Sequence, residues 1–149
     1  MAWIFILFVV LIGAGLPLQA LVNARLGVLT AGSIFASSLS IVVSLIVALG
    51  FLLLQRPTLP PMDQLARLPL WLWVGGVVGG CYVIAATLGV PRVGAAGFVA
   101  LIVLGQMIGS LILDHFGILH PAQPANATRI LGVVLVMAGM LLVLQPWRR

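Results

Sequence analysis

The side chains that could bind a solute are a few polar residues set in long apolar runs. Gln19 and Asn23 follow Gly15 at intervals of four residues near the start of the chain, so in an α-helix all three share one face. A carboxamide carries both donors and acceptors of hydrogen bonds. Two interpretations are open: this face lines a cavity for a solute, or it packs against neighbouring helices through amide hydrogen bonds. Asn23 could also only cap the end of its helix.

A second polar face lies in a later apolar run. Gln106, Ser110 and Asp114 again follow one another at intervals of four, and His115 comes directly after. Asp114 and His115 are candidates for coupling transport to a proton or cation, because imidazole titrates near neutral pH and a membrane carboxylate is costly without a function. The alternative is a helix end at the membrane interface, with Asp114 paired to an arginine. Tyr82 is either a cavity aromatic or a hydrogen-bond donor between helices.

A proline interrupts the first apolar run. Pro17 lacks a backbone donor, and its ring would clash with the carbonyl of Gly13. We expect the helix to bend here and to free one or two carbonyl groups. Such groups must face protein or a water-filled cavity, because lipid offers them no hydrogen bond.

The composition defines the elements that must position these residues. The chain is 63% hydrophobic and 6% charged, with a mean hydropathy of +1.32, which excludes a water-soluble surface. A helix needs roughly 20 apolar residues to cross about 30 Å of hydrocarbon, and each interval between charges holds one such helix. The sequence therefore predicts an all-α integral membrane protein, a single membrane domain over residues 1–149, with spans at about 2–23, 32–54, 71–90, 95–115 and 128–146.

Small residues and prolines organise the runs between and within the spans. Four serines spaced 4, 3 and 4 residues apart predict a close-packing face on the second span: Ser33, Ser37, Ser40 and Ser44. Residues 55–70 contain four prolines and cannot form a continuous helix. Residues 89–98 are expected to form a tight turn between spans, in which Pro91 and Gly94 bracket Arg92.

The distribution of arginines gives almost no indication of the orientation of the chain in the membrane. With five spans, one side of the membrane receives Arg56, Arg67 and Arg129, and the other receives Arg25, Arg92, Arg148 and Arg149. Either one or two arginines dominate the positive-inside rule, or the chain inserts in both orientations. In the second case two copies, or a copy and a homologous subunit, could form an antiparallel pair that reproduces the inverted repeats of many transporters.

Other classes of protein are disfavoured. Cys81 is the single cysteine and lies within a span, so neither an intrachain disulfide nor a zinc cluster is expected, and no cofactor is predicted. No nucleophile–base pair indicates an enzyme. The arginines are scattered singly, which is typical of interfacial anchors and not of nucleic-acid binding. The partners we expect are the lipid bilayer and a small-molecule solute.

Five segments in order resemble the YdcZ-like family of small bacterial inner-membrane proteins, within the drug/metabolite transporter superfamily. They cover nearly the whole chain: GAGLPLQALVNARLG, WLWVGGVVGGCYV, GVPRVGAAGF, LGQMIGSLILDHFGIL and RILGVVLVMAGMLLVL. The resemblance implies an inner-membrane exporter whose five helices equal half of a ten-helix inverted-repeat transporter. The related small multidrug resistance proteins use a membrane glutamate, but this chain contains no Glu.

Three functional hypotheses follow. The first is a small-molecule exporter of the bacterial inner membrane that works by alternating access as an antiparallel dimer. The second is an accessory or structural membrane subunit without transport activity, whose polar faces would be dry and buried between helices. The third is a flippase for a lipid-linked substrate, whose cavity would open sideways to the bilayer.

Overall fold

The computed structural model describes residues 2–119 and 121–146, and within them the chain is helical with no β-strand. The elements in order are α1 (Ala2–Leu29), α2 (Ser33–Gln55), α3 (Met62–Ala66), a 3₁₀ turn (Leu70–Trp73), α4 (Val74–Val93), α5 (Ala95–Phe116) and α6 (Ala127–Leu144). Among the described residues, five helical segments are long and apolar enough to cross a membrane. The predicted five-helix, all-α membrane class is confirmed. Arg148 and Arg149, which entered the predicted charge balance, lie outside the described residues.

Helix α1 is longer than the sequence pattern predicts. It continues past residue 23 to Leu29 and contains Pro17 and Arg25. The interpretation of Asn23 as a helix cap is therefore wrong, since this residue lies six positions before the end of α1. A charged side chain marks where a helix meets polar surroundings, but it does not end the helix. The bend expected at Gly13 and Pro17 stays a prediction.

The connection between α4 and α5 is shorter than expected. The tight turn predicted over residues 89–98 is confined to a single residue: α4 includes Pro91 and ends at Val93, and α5 begins at Ala95. Gly94 alone separates the two helices, with a φ of +78° that residues with a side chain rarely adopt. Pro91 is tolerated because it removes only one backbone donor near the end of α4.

Residues 1–88 form one compact unit. Within it α1 packs against α2 through small residues: Ala20 in α1 is 5% exposed, and Ala36 and Ser37 in α2 are fully buried. A Cβ atom on Gly27 would lie 3.1 Å from the Ser33 Cα. Close approach of the two helices near their connecting turn therefore depends on residues with little or no side chain.

Residues 89–149 form a second compact unit, in which α5 packs against α6. A Cβ atom on Gly97 would lie 2.8 Å from the Leu144 Cδ2, so glycine lets α6 approach α5. Gly117 ends α5 with a φ of +64°, and the Asn126 side chain accepts a hydrogen bond from the Arg129 amide to cap α6. A single membrane domain over residues 1–149 stays a prediction.

The outer surfaces of the spans are apolar. Aliphatic and aromatic side chains of α1, such as Trp3 and Leu11, are 78% and 70% exposed. A surface of this kind is stable only against acyl chains or other apolar helices. The arrangement is that of helices whose solvent is the bilayer.

Candidate functional site

The main candidate site is a groove of about 630 Å³ between α1 and α2. From α1, Gly15, Gln19 and Asn23 line it, so the structure brings this predicted polar face together along one wall. From α2, Ser40 and Ser44 line the opposite wall. Ligand sites commonly have volumes of roughly 300–1,000 Å³, so the groove is large enough for a small organic molecule.

Asn23 is the most informative residue of this groove. Its side chain is only 5% exposed, yet it makes no hydrogen bond to any other residue in the described part of the chain. No described polar side-chain atom is both fully enclosed and without a hydrogen bond. Both amide atoms of Asn23 therefore keep some accessible surface, and the residue lines the groove. A buried amide that is left without a partner is costly, so this geometry leaves its hydrogen-bonding capacity for an occupant of the groove.

Two polar side chains that are fully buried in the described part of the chain behave differently. The Ser37 hydroxyl donates to the Ser33 carbonyl oxygen at 2.9 Å, and the Thr87 hydroxyl donates to the Val83 carbonyl oxygen at 2.9 Å. Both hydroxyls are satisfied within their own helix, which is what a packing role requires. Asn23 lacks such an internal partner, so it stands apart from these structural residues.

On the α2 wall, one of the two serine hydroxyls already donates a hydrogen bond within its own helix. The Ser44 hydroxyl donates to the Ser40 carbonyl oxygen at 3.0 Å, which leaves its oxygen free to accept a hydrogen bond. Besides the amides, the serines and Gly15, the lining consists of six aliphatic residues: Leu18, Val22, Leu26, Leu39, Val43 and Val47. Among the described residues, none that lines the groove is charged. Such a lining can hold a solute by apolar contact and by a few directed hydrogen bonds.

A second, smaller cavity lies within the unit of residues 89–149. It has a volume of about 280 Å³ and is lined by residues that include Ser110, Asp114 and Arg129. The Arg129 Nη1 lies 3.2 Å from the Asp114 Oδ2, and the two side chains are 37% and 32% exposed. Arg129 also donates to Gln123, from Nη2 to Oε1 at 2.6 Å. The structure therefore has the arginine pairing that the sequence left as one of two interpretations of Asp114.

His115 is next to Asp114 in sequence, and its side chain contacts the loop that follows α5. Its Nδ1 accepts a hydrogen bond from the Ala125 amide at 3.2 Å, and its ring meets Phe116 edge to face with centroids 5.0 Å apart. A coupling role for Asp114 and His115 stays a prediction.

The other two residues that the sequence proposed for solute binding line neither cavity. Gln106 is exposed on α5, and Tyr82 is half-buried in α4; neither lines the groove or the smaller cavity. Sequence reasoning assigned Ser40 and Ser44 to helix packing and did not place them opposite Gln19. Their regular spacing along α2 was the available signal, since it put both hydroxyls on one face.

Within the part of the chain that the structure describes, five apolar helices of membrane length define a multi-pass α-helical membrane protein. Residues 4–142 match the family model described as "Putative inner membrane exporter, YdcZ", and the chain therefore belongs to this family. It is 26% identical over 136 residues to the inner membrane protein YdcZ of Escherichia coli strain K12, with 91% of each chain covered. No solved structure matches the chain. The protein is thus a multi-pass inner-membrane protein of an exporter family, which favours transport over catalysis.

Proposed function

We propose that this chain exports a small solute across the inner membrane by alternating access, as an antiparallel dimer in which the α1–α2 groove forms one wall of the path. The observation that carries the proposal is the groove itself, with the unpaired carboxamide of Asn23 in it. An accessory subunit that only packs against a partner would be expected to satisfy its buried polar groups, as Ser37 and Thr87 do.

The need for a second half-unit follows from the helix count. Alternating access usually rocks two inverted repeats around a site near the bilayer midplane, and five spans supply one such repeat. An odd number of spans, together with arginines divided three against four between the two sides, is compatible with insertion in both orientations. A second copy, or a homologous subunit of opposite orientation, would then close the groove.

The architecture is tested by mapping the carboxyl terminus. A single cysteine is inserted after Trp147 in a Cys81→Ser background, and intact cells are labelled with a membrane-impermeant maleimide before and after permeabilisation. We expect partial labelling from each side. Labelling from one side only would eliminate the homodimeric antiparallel arrangement and leave a homologous partner as the second half-unit.

The export activity is tested in whole cells with no solute chosen in advance. Mass spectrometry compares the growth medium of cells that express the wild type, the Asn23→Leu variant at equal membrane abundance, or neither. We expect at least one solute to be enriched outside wild-type cells and not outside Asn23→Leu cells. Identical media from all three cultures would contradict the proposal.

A further inference from the structure

We propose that the α1–α2 groove selects an uncharged amphipathic solute that presents an adjacent hydrogen-bond donor and acceptor, as in a carboxamide, lactam, urea or nucleobase edge. This proposal rests on the proposed function only in taking the groove as the solute site. It is carried by the chemistry of the lining: one buried amide that is open to the groove, two serine hydroxyls, one further amide, and aliphatic side chains for the rest.

The absence of charge from the lining excludes ions. Arg25, the charged residue nearest to Asn23 in sequence, is exposed and does not line the groove. An ion that enters a mostly aliphatic groove loses its hydration and finds no countercharge, so its transfer is strongly unfavourable. A neutral solute with the same skeleton avoids this cost. The groove should therefore discriminate by charge before it discriminates by shape.

The geometry of Asn23 defines the complementary edge. Asn23 lines the groove, its Oδ1 and Nδ2 both keep accessible surface, and neither is engaged by another residue in the described part of the chain. A carboxamide with both ends free pairs best with a ligand that presents one donor and one acceptor side by side. Across the groove, the Ser44 oxygen can accept but its proton is already donated to Ser40. The Ser44 side chain therefore favours a solute donor, whereas the Ser40 hydroxyl makes no hydrogen bond within the described residues and can donate or accept.

The aliphatic residues define the remainder of the solute. Leu18 and Val22 on α1 face the groove together with Val43 and Val47 on α2. Polar atoms of a solute that contact these side chains would lose water without gaining hydrogen bonds. The solute should therefore be polar along one edge and apolar over the rest of its surface.

The test uses planar compounds that differ only in charge. Benzamide, benzoate and benzamidinium share one skeleton and are neutral, anionic and cationic at neutral pH, and the naphthyl analogues extend the series in size. Binding to the full-length protein in lipid nanodiscs is measured by titration calorimetry, with empty nanodiscs subtracted for partition into lipid. We expect the neutral member of each set to bind at least about tenfold more tightly than either charged member, the equivalent of one or two hydrogen bonds.

Variants test whether this preference comes from Asn23. Asn23→Leu should weaken binding of the neutral members by about tenfold, and Asn23→Asp should reverse the preference in favour of benzamidinium. Ser38→Ala is the matched control, because Ser38 lies on α2 but is exposed and does not line the groove. It should bind like the wild type.

Three outcomes would overturn the proposal: a charged member that binds as tightly as its neutral counterpart, neutral binding that survives Asn23→Leu, or no binding by any member. These results are distinct from failure of the export function. If neutral compounds bind through Asn23 but the culture media do not differ, the proposed binding site is supported and the proposed export function is rejected. If a charged solute is enriched in the medium, the export function is supported and the preference for uncharged solutes is rejected.

Discussion

Replacing Asn23 by leucine tests directly whether its amide lacks a protein partner. Leucine has the same number and branching of side-chain heavy atoms as asparagine, and the groove that Asn23 lines gives its bulkier methyl groups room at this residue, which is 5% exposed. No hydrogen bond within the described chain is lost, a partly desolvated amide is removed, and leucine is the better helix former by a few tenths of a kcal/mol. We therefore expect the free energy of unfolding to stay constant or to rise by up to about 1 kcal/mol.

The measurement is reversible unfolding in mixed micelles of a mild detergent and dodecyl sulfate, followed by circular dichroism. Ala36→Leu supplies the steric control: Ala36 is fully buried, so the larger side chain should lower the free energy of unfolding by about 1–3 kcal/mol. An interhelical hydrogen bond in a membrane contributes about 0.6 kcal/mol on average and up to about 1.7. A loss of that size in Asn23→Leu would show that the amide has a protein partner, and would refute the reasoning.

Three further predictions concern the unit of residues 89–149. In a double-mutant cycle, Asp114→Asn and Arg129→Gln should show a coupling free energy of about 0.2–1 kcal/mol, because their ion pair is partly exposed; a coupling near zero would contradict this prediction. Gly117→Ala should lower the free energy of unfolding by at least about 1–2 kcal/mol, because its φ is +64° and an added Cβ would lie 2.9 Å from the Ala122 Cα. Gly132→Ala, whose Cβ would meet nothing within 4 Å, is its control and should not destabilise the chain. Gln106→Leu should leave benzamide binding unchanged, since Gln106 does not line the α1–α2 groove; loss of benzamide binding would place it at the groove after all.

Most of the fold could be predicted because the bilayer leaves few choices. A chain of which 63% is hydrophobic must satisfy its backbone hydrogen bonds internally, and helices do so within each segment. The positions of isolated charges then divide the chain into five spans. The common face of Gln19 and Asn23 also follows from helical periodicity alone, because residues four apart point the same way.

The site could be predicted only in part, because it depends on which faces meet. Periodicity could not tell that Ser40 and Ser44 lie across a groove from Gln19, or that Asp114 pairs with Arg129 fifteen residues later. Nor could it tell that a single residue, Gly94, separates α4 from α5. Local patterns specify which residues share a face of one helix. Whether a polar group on that face finds a protein partner, as Ser37 does, or stays open to a groove, as Asn23 does, depends on atoms contributed by distant segments, and those come together only in the folded chain.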